Sequence, residues 1–517
     1  MSASLYTTSE IRAIETAHAK KSRTSLMQKA GAAVAKLAQT LVKKKKGAAI
    51  LVLAGPGNNG GDAWVAAAAL KKSGQRVSVI ALGEQKFTDA AAKTAHAAFV
   101  RGKGNVGKEI PRDATFDLVI DGLFGIGLVR APSGAFANAI SRINAMRAAG
   151  TPVLAIDVPS GLAADSGVAL GETVMADHTI TFLGFKPGLF TSHGKDCAGE
   201  VHLEMLGVAP PESQGALLLA DNVRHLIPAR AQHSHKGTYG NVGIIGGAEG
   251  MAGAAVLAAR AALFMGPGKV FLGISAKDVP AFDPLNPEVM LRKADEVIAD
   301  ENLTALAIGM GLGTDKSAPR LVAAALGRKL PMVLDADALN LIAATPAFAA
   351  ALGTNNKNSS AGADSRAKMP ETPHQYLSLV LTPHPGEAAR LLNVTVAQVE
   401  EDRVTSALAL AQRFNAVVVL KGAGTIIAAD DGHYFINTSG NPGMASGGMG
   451  DALSGMIAAF MAQGMGALNA AKLAVYLHGA GADACMAHGM APHGLTASEV
   501  IFEARMLLNS GLQHHDH

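Results

Sequence analysis

Hydrophobic positions fall in short apolar runs separated by helix-like stretches, and this alternation repeats along the chain. The run at 48–54 (AAILVLA) is apolar throughout, ends in glycines and is followed by a stretch of helical composition. Apolar runs without polar alternation are typical of strands buried on both faces of a parallel sheet. In the first half we predict two helices within 10–41, then strands at 48–54, 76–82, 118–120, 153–156, 179–183 and 201–205.

The alternation weakens at 206–221, where glycine and proline cluster, and then begins again. We therefore expect two α/β domains, residues 1–215 and 216–517. The polar segment 353–372 is expected to be a mobile surface insertion. In the second half we predict a helix at 252–264, strands at 242–245, 270–274, 305–308, 332–334, 377–381 and 416–420, and a hairpin of 425–429 and 434–437.

Composition narrows the function classes. A chain of 517 residues exceeds what one core usually supports, so two domains are the prior expectation. The net charge of +3 gives no support to nucleic-acid or membrane-surface binding. Cys197 and Cys485 lie outside any C-x-x-C pair, which argues against a disulfide scaffold or a structural zinc site. No export signal is visible at the N-terminus, and we expect a cytoplasmic protein.

Two glycine-rich segments that end in aspartate suggest ligand binding. Glycine lets a backbone approach a ligand closely, and the start of a following helix presents free N–H groups to an anion. A chain with two such segments is expected to hold two phosphate-bearing small molecules, or one molecule handled twice. Each segment alone is also compatible with an ordinary turn before a helix. The segments are Asn58, Asn59, Gly60, Gly61, Asp62 and Gly447, Gly448, Met449, Gly450, Asp451.

Further polar residues in the first half follow predicted strands. Asp121 follows the strand at 118–120, and Asp157 follows the strand at 153–156. Ligands of doubly wound sheets bind beyond the carboxyl ends of the strands, so these carboxylates are expected in one crevice. Asp157 is the candidate acid or base, and the oxygens of Asn59, Asp121 and Ser160 are ligands of the type that hard cations prefer. An isolated aspartate after a strand is more often a cap or turn residue.

The second half offers candidates for phosphoryl transfer. Lys421–Thr425 follows a strand and can hold nucleotide phosphates, but it lacks the Gly-Lys-Ser/Thr ending of a P-loop. His384 lies between two prolines after another strand, which favours a substrate contact over a structural role. Asp451 can accept a proton from a substrate hydroxyl.

These segments resemble a known family. Residues 54–62 (AGPGNNGGD) and 157–162 (DVPSGL) resemble the N-terminal module of bifunctional NAD(P)H-hydrate repair enzymes. That resemblance implies a Rossmann-like three-layer α/β/α domain that interconverts the R and S forms of hydrated NADH and NADPH. The C-terminal module of the family is ribokinase-like and dehydrates the S form to NAD(P)H while ADP becomes AMP and phosphate. Its matching segments are 236–241 (KGTYGN), 309–313 (GMGLG), 382–387 (TPHPGE), 421–425 (KGAGT) and 447–451 (GGMGD).

The resemblance also implies binding residues. Potassium would lie at Asn59, Asp121 and Ser160, magnesium would serve the second module, and Asp157 and Asp451 would be catalytic. ADP would contact Lys421, Gly422, Ala423, Gly424, Thr425 and Gly450. Hydrated nucleotide would contact Asn58, Asn59, Gly60, Gly61, Asp62, Gly125, Ile126, Gly127, Leu128, Val129, Arg130, Ala131 and Asp157 in the first module, and Gly253, Gly311, His384 and Asp451 in the second. Gln28 departs from the family, which commonly has Glu at that position.

Two alternatives stay open at this stage. The second half could be a ribokinase-like small-molecule kinase fused to a non-catalytic binding module, because that fold shares the Gly-x-Gly-Asp segment. Modules like the first half also occur in an mRNA-decapping scaffold, where binding replaces catalysis. The joint presence of Asn59, Asp121, Asp157 and Ser160 counts against a scaffold. We expect ADP rather than ATP as the donor, because fused proteins of this family typically use ADP, and we expect a homo-oligomer.

Overall fold

The computed structural model describes residues 3–21, 25–43, 45–85, 87, 89–111, 114–278, 280–359 and 378–512. The chain divides into two compact units, Met1–Gly215 and Ala216–His517.

The N-terminal unit is a parallel sheet covered by helices. Its helices are α1 (Thr8–Lys21), α2 (Leu26–Leu41), α3 (Asn58–Lys72), α4 (Ala90–Arg101), α5 (Ala135–Ala148) and the short α6 (Gly194–Cys197). Its strands are β1 (Ser4–Leu5), β2 (Ala49–Ala54), β3 (Arg76–Ala81), β4 (Asn105–Gly107), β5 (Leu118–Gly122), β6 (Val153–Ile156), β7 (His178–Phe182) and β8 (Glu200–Glu204).

The strand order places a binding crevice near the middle of this sheet. The order is β4-β3-β2-β5-β6-β7-β8, and adjacent strands run parallel. Since β2 pairs with both β3 and β5, the winding reverses direction between β2 and β5. Ligands of such sheets bind at this reversal, beyond the carboxyl ends of the strands. One face of the sheet packs on α3, where the Trp64 side chain is completely buried.

The C-terminal unit repeats the α/β layering with a larger sheet. Its strands are β9 (Gly215–Leu218), β10 (Asn241–Gly246), β11 (Lys269–Ile274), β12 (Met290–Lys293), β13 (Ala305–Ile308), β14 (Met332–Leu334), β15 (Leu379–Leu381), β16 (Val417–Leu420), β17 (Ile426–Ala428) and β18 (Tyr434–Asn437). Its helices are α7 (Ala220–Arg224), α8 (Ala252–Phe264), α9 (Ala294–Ala299), α10 (Ser317–Leu326), α11 (Ala336–Ala344), α12 (Pro346–Ser359), α13 (Pro385–Leu392), α14 (Val396–Glu401), α15 (Arg403–Phe414), α16 (Met449–Ala462), α17 (Ala467–Ala487) and α18 (Ala497–Asn509).

Strand pairing in this unit again creates a reversal. The order is β9-β18-β17-β16-β15-β14-β13-β10-β11-β12. Strands β10 to β16 pair in parallel, whereas β17 and β18 form the predicted antiparallel hairpin. Since β10 pairs with both β11 and β13, the reversal lies between β10 and β13. Within the described ranges, no helix is both long and apolar enough to cross a membrane.

Three expectations about local structure need correction. Helix α3 begins at Asn58 and α16 at Met449, so both aspartate-ended segments reach into helix first turns rather than preceding the helices. Glycine disfavours helices, but here close packing overrides propensity, because a Cβ on Gly60 would lie 1.9 Å from the Gly55 carbonyl oxygen. Residues 353–359 continue helix α12, and the rest of the expected insertion lies outside the described residues. Strands β1, β4, β9 and β12 were not predicted, because they are short or partly polar.

Candidate active sites

A cavity of about 320 Å³ opens at the winding reversal of the N-terminal sheet. Many of the residues predicted to bind the hydrated nucleotide line it, namely Asn58, Asn59, Asp62, Gly125, Ile126, Gly127, Leu128 and Asp157. Five others do not line it. A Cβ on Gly61 would meet the Met27 side chain of α2 at 2.6 Å, and a Cβ on Gly60 would meet the Gly55 carbonyl oxygen, so both glycines serve close packing within the unit. Val129 is 87% exposed, and Arg130 and Ala131 are also exposed beside it.

Asp157 forms a buried ion pair at the floor of this cavity. Its Oδ1 lies 2.6 Å from Lys186 Nζ, and the Lys186 side chain is 1% exposed against 14% for Asp157. Lys186 Nζ also donates to Thr181 Oγ1 and to the Phe182 carbonyl oxygen. The backbone at Asp157 has a φ of +64°, a conformation that is uncommon for residues other than glycine. The Asp157 carboxylate is thus held in place by the Lys186 ammonium group, which is the more deeply buried of the two.

Two further carboxyl groups face the same cavity. Burial raises the pKa of Asp62 well above its usual range, and the carboxylates of Asp157 and Glu15 raise it further. Burial and Asp157 also raise the pKa of Glu15, while Lys186 and Arg12 lower it. A carboxyl group whose pKa is raised in this way can carry a proton at neutral pH. Asp62 and Asp157 therefore suit opposite roles in proton transfer.

The predicted cation ligands lie together beside the cavity. Asp121 is completely buried, and its two carboxylate oxygens accept from Ser160 Oγ at 2.7 Å and from the Ser160 N–H at 2.8 Å. Asn59 Nδ2 donates to the Phe124 carbonyl oxygen, which brings its amide to the same place. Burial raises the pKa of Asp121 to about 6, and the hydrogen bonds from Ser160 and Leu123 offset this only in part. The burial of the Asp121 carboxylate costs free energy that a bound cation would offset. Its oxygens and those of Asn59 and Ser160 are ligands of the type that a hard cation such as potassium prefers.

Gln28 belongs to a second, larger cavity of about 970 Å³. This cavity shares Glu15, Asn58 and Asp62 with the smaller one, so the two are continuous along one side of the unit. Residue 28, where the family commonly has Glu, thus lines the same cavity as Glu15 and Asp62. The neutral Gln28 side chain adds no further negative charge to this cavity.

The C-terminal unit holds its own buried ion pair, between Lys421 and Asp335. Lys421 Nζ lies 2.8 Å from Asp335 Oδ1, and here the carboxylate is 1% exposed whereas the lysine is 20% exposed. Asp335 Oδ2 accepts from Ser454 Oγ at 2.8 Å, and Ser454 Oγ lies 3.2 Å from Thr382 Oγ1. The hydroxyls therefore fix the carboxylate, and the carboxylate fixes the lysine.

Acidic groups converge on Lys421. Burial lowers the pKa of Lys421, but the carboxylates of Asp335 and Glu387 outweigh this, so its pKa is raised and its charge is retained. Burial, and then the Asp335 carboxylate, raise the pKa of Asp451 to about 6 despite the opposing Lys421 charge. Asp337 also acts on Asp451, and its Oδ2 accepts from the Gly313 N–H at 2.8 Å. Both oxygens of Asp335 are already paired with Lys421 and Ser454, so Asp337 and Asp451 are the candidates for carboxylate ligands of the type that magnesium prefers.

His384 has a structural role that the sequence did not indicate. Its Nδ1 accepts from the backbone N–H groups of Gly386 and Glu387, which caps helix α13. Glu387 Oε2 accepts in return from the His384 N–H at 2.7 Å. Nε2, the other ring nitrogen, lies 3.3 Å from Glu387 Oε1, so both ring nitrogens face partners within the cap. The side chain is still 50% exposed, which leaves the ring itself accessible to a substrate.

The remaining predicted residues of the second site lie near helix starts or in the segment that follows Lys421. A Cβ on Gly450 would lie 3.1 Å from Lys421 Nζ, which places the first turn of α16 against the lysine. Gly311, with φ of +58°, lies against Met251 just before α8, and Gly253 is the second residue of that helix. Gly422 has a φ of +136°, a conformation suited to glycine, so the segment after Lys421 turns sharply. Helix α8 follows β10 at the winding reversal, whereas the Lys421 segment follows β16, three strands from β13 in the sheet order.

Sequence reasoning missed the ion-pair partners. Asp335 directly follows β14 and obeys the rule that identified Asp121 and Asp157, so it could have been found. Lys186 and Glu15 carry no such signal, because one lies four residues beyond β7 and the other lies within helix α1. Their placement depends on tertiary packing.

Two α/β units, each with a buried lysine–carboxylate pair whose aspartate directly follows a parallel strand, define a two-domain enzyme acting on nucleotide-like molecules. The model of the YjeF-related protein N-terminus family matches residues 23–188, and that of the NAD(P)H-hydrate dehydratase family matches residues 242–357 and 361–503.

Full-length relatives have the same two-part organisation. The chain is 36% identical to a bifunctional NAD(P)H-hydrate repair enzyme of Escherichia coli, over 90% of this chain and 86% of the relative. It is 35% identical to the corresponding Coxiella burnetii protein over 98% of this chain and 99% of the relative. A Bacillus subtilis ADP/ATP-dependent NAD(P)H-hydrate dehydratase, co-crystallized with ATP and Mg²⁺, is similar at 30% identity and a TM-score of 0.46, covering 57% of this chain and 98% of that one.

This chain belongs to the family of bifunctional NAD(P)H-hydrate repair enzymes. The expected family and the expected fold class, a Rossmann-like unit followed by a ribokinase-like unit, are confirmed.

Proposed function

We propose that the chain repairs hydrated NADH and NADPH in two steps, each carried out by one unit. The N-terminal unit interconverts the R and S hydrates, and the C-terminal unit dehydrates the S form to NAD(P)H while ADP becomes AMP and phosphate. Family membership along the whole chain supports both activities. The single structural observation that carries the assignment is that each unit holds a buried lysine–carboxylate pair whose aspartate directly follows a parallel strand.

For the N-terminal unit we assign proton transfer to two carboxyl groups. Epimerisation requires a proton for the departing hydroxyl at C6 of the nicotinamide ring and removal of a proton from the water that adds to the other face. Asp62, whose pKa is raised, suits the donor role. Asp157, held by Lys186, suits the acceptor role. Asn59, Asp121 and Ser160 would hold a potassium ion, which would neutralise charge beside the substrate.

For the C-terminal unit we assign phosphoryl transfer to the first turn of α16. Asp451 accepts the proton of the C6 hydroxyl as that oxygen takes the terminal phosphoryl group of ADP. Lys421 and the free N–H groups near Gly450 stabilise the charge that develops on the phosphoryl oxygens. The ring nitrogen then expels phosphate, a better leaving group than hydroxide, and a ring proton is lost. ADP would lie along Lys421–Thr425, magnesium would be held by the aspartates around Lys421, and His384, Gly253 and Gly311 would contact the hydrated nucleotide.

The remaining assignments rest on composition and family. A near-neutral net charge supports small molecules as the partners rather than nucleic acid or a membrane surface. A cytoplasmic location and a homo-oligomeric state complete the proposal.

The test is recovery of NADH from a mixed R and S hydrate preparation with ADP, magnesium and potassium. Asp157→Ala should leave dehydration of the S form intact and abolish use of the R form, and Asp451→Ala should do the reverse. Asp157→Asn, which keeps the size of the side chain, separates loss of the carboxylate from loss of side-chain volume. ATP-dependent phosphorylation of a stable alcohol without NADH recovery would instead establish a small-molecule kinase. Loss of both activities in either folded variant would contradict the two-site assignment.

A further inference from the structure

Two histidines and a glutamate meet on the edge of the N-terminal sheet, away from the proposed catalytic residues. His178 begins β7, and Glu200 and His202 lie on the neighbouring edge strand β8. In the parallel register His178 pairs with Glu200, and Ile180 pairs with His202. Residues two apart on a strand share a face, so the side chains of Glu200 and His202 lie on the same side of β8.

The potential ligand atoms of the three side chains lie close together, with each carboxylate oxygen of Glu200 near a different imidazole. His178 Nδ1 lies 3.2 Å from His202 Nε2 and 3.5 Å from Glu200 Oε2, and His202 Nε2 lies 3.7 Å from Glu200 Oε1. Bonds of roughly 2.0–2.2 Å to a tetrahedral zinc ion would separate ligand atoms by about 3.3–3.6 Å. The three side chains are therefore spaced as three corners of a zinc-type coordination sphere. Among the described residues, they form a group that could hold a metal ion.

The neighbouring carboxylate of Asp177 is not available as a fourth ligand. Asp177 immediately precedes His178, but its carboxylate oxygens accept from Arg147 Nε at 2.9 Å and from the Val153 N–H at 2.8 Å. Asp177 is thereby committed to other partners. The imidazole rings are 23% and 28% exposed at the side chain, so water can reach the shared face.

We propose that His178, Glu200 and His202 bind a divalent first-row transition metal of the zinc class, with water at the fourth position. Imidazole nitrogens with one carboxylate oxygen are ligands that zinc accepts readily. The site does not depend on the repair activity proposed above. Cysteine spacing gave no hint of it, because the ligands are histidines brought together by strand pairing.

The position of the site indicates a structural role. His178 lies at the start of β7, whereas Phe182 and Leu183 at the other end line the catalytic cavity. Four residues of strand separate the two ends by about 13 Å. A metal ion here would tie the edge strand β8 to β7 and leave the catalytic carboxyl groups untouched.

The experiment is a zinc titration of the full chain by calorimetry. Histidines of the C-terminal tail can also bind zinc, so the reference protein carries Ala at positions 514, 515 and 517. We expect this reference to retain one zinc site. His178→Ala and His202→Ala should each weaken it at least tenfold, since loss of a ligand costs no less than loss of a residue that supports one. His193→Ala, an exposed histidine of the same unit, is the matched control and should bind as the reference does.

Two readouts separate this site from weak surface binding. Co²⁺ bound to the reference should show the intense visible absorption of four-coordinate cobalt, and Glu200→Gln, an exposed change that should not disturb folding, should reduce it. Zinc should also slow hydrogen exchange in residues 200–204 of the reference and leave epimerisation unchanged. Unaltered zinc affinity in a folded His178→Ala protein would overturn the proposal, as would a reference that binds no zinc.

Discussion

The two units use the same kind of ion pair in opposite orientations. In the N-terminal unit the lysine is the more buried partner, with Lys186 1% and Asp157 14% exposed at the side chain. In the C-terminal unit the carboxylate is the more buried partner, with Asp335 1% and Lys421 20% exposed. The less buried group is therefore a carboxylate in the first unit and an ammonium group in the second.

This difference matches the chemistry proposed for each unit. Removing a proton from the attacking water needs a carboxylate in contact with the substrate site, whereas phosphoryl transfer needs a cation beside the phosphate. In both units each partner neutralises the charge of the other. Neither group is therefore an isolated ion inside the protein, which would cost free energy. The similarity of the two aspartate-ended segments in the sequence is thus less informative than the opposite polarity of the two pairs.

The largest expected effect comes from removing the exposed cation of the second site. Lys421→Met should lower the dehydration rate by about 10²–10³-fold, because a charge aimed at the transferred phosphoryl group is lost. Epimerisation by the same chain should change little. Separate assays of R-to-S conversion and ADP-dependent NADH formation measure both. Lys472→Met, which removes another partly buried lysine of the C-terminal unit, is the control and should retain dehydration.

The second prediction concerns the free energy of unfolding. The more costly residue to remove is the aspartate in the N-terminal unit and the lysine in the C-terminal unit. Removing the exposed partner of either pair strands a fully buried charge, so Asp157→Ala and Lys421→Met should each cost about 3–5 kcal/mol. Removing the buried partner, in Lys186→Met or Asp335→Ala, leaves a charge that water can reach and should cost less. Hydrogen exchange of peptides from each unit during urea titration measures each cost separately. Equal losses within a pair would show that the difference in burial has no energetic consequence.

Sequence patterns could predict much of this arrangement, but not which partner of each ion pair is the more buried one. The strand ends carrying Asp121 and Asp157 were predictable, because carboxyl ends of parallel strands meet at one edge of a sheet. Lys186 was not, because its ammonium reaches Asp157 only through the path of the chain after β7. The capping role of His384 was also hidden, since capping by a histidine nitrogen is not part of the usual pattern of cap residues.

The third prediction is that the two activities respond to pH in opposite directions. Dehydration needs the unprotonated form of Asp451, whose pKa is raised to about 6, so its rate should fall about tenfold per pH unit below that value. Epimerisation needs the protonated form of Asp62, whose pKa is also raised, so its rate should fall as pH rises through that pKa. Rate profiles for both reactions on one preparation check this. Profiles that fall on the same side would contradict the opposite roles assigned to the two carboxyl groups.

The smallest expected effect comes from the hydroxyls that orient the pairs. Ser454→Ala removes the donor to Asp335 Oδ2 and should cost about 1–3 kcal/mol of stability, because a buried acceptor loses its partner. Thr181→Val removes a contact to both Asp157 and Lys186, but Lys186 Nζ keeps the Phe182 carbonyl oxygen, so its cost should lie at the lower end of that range. Urea titration of each unit measures the two costs. A larger loss for Thr181→Val would mean that the hydroxyl, rather than the Phe182 carbonyl oxygen, chiefly holds Lys186 in place, and the buried lysine would then depend on its side-chain neighbours as Asp335 does.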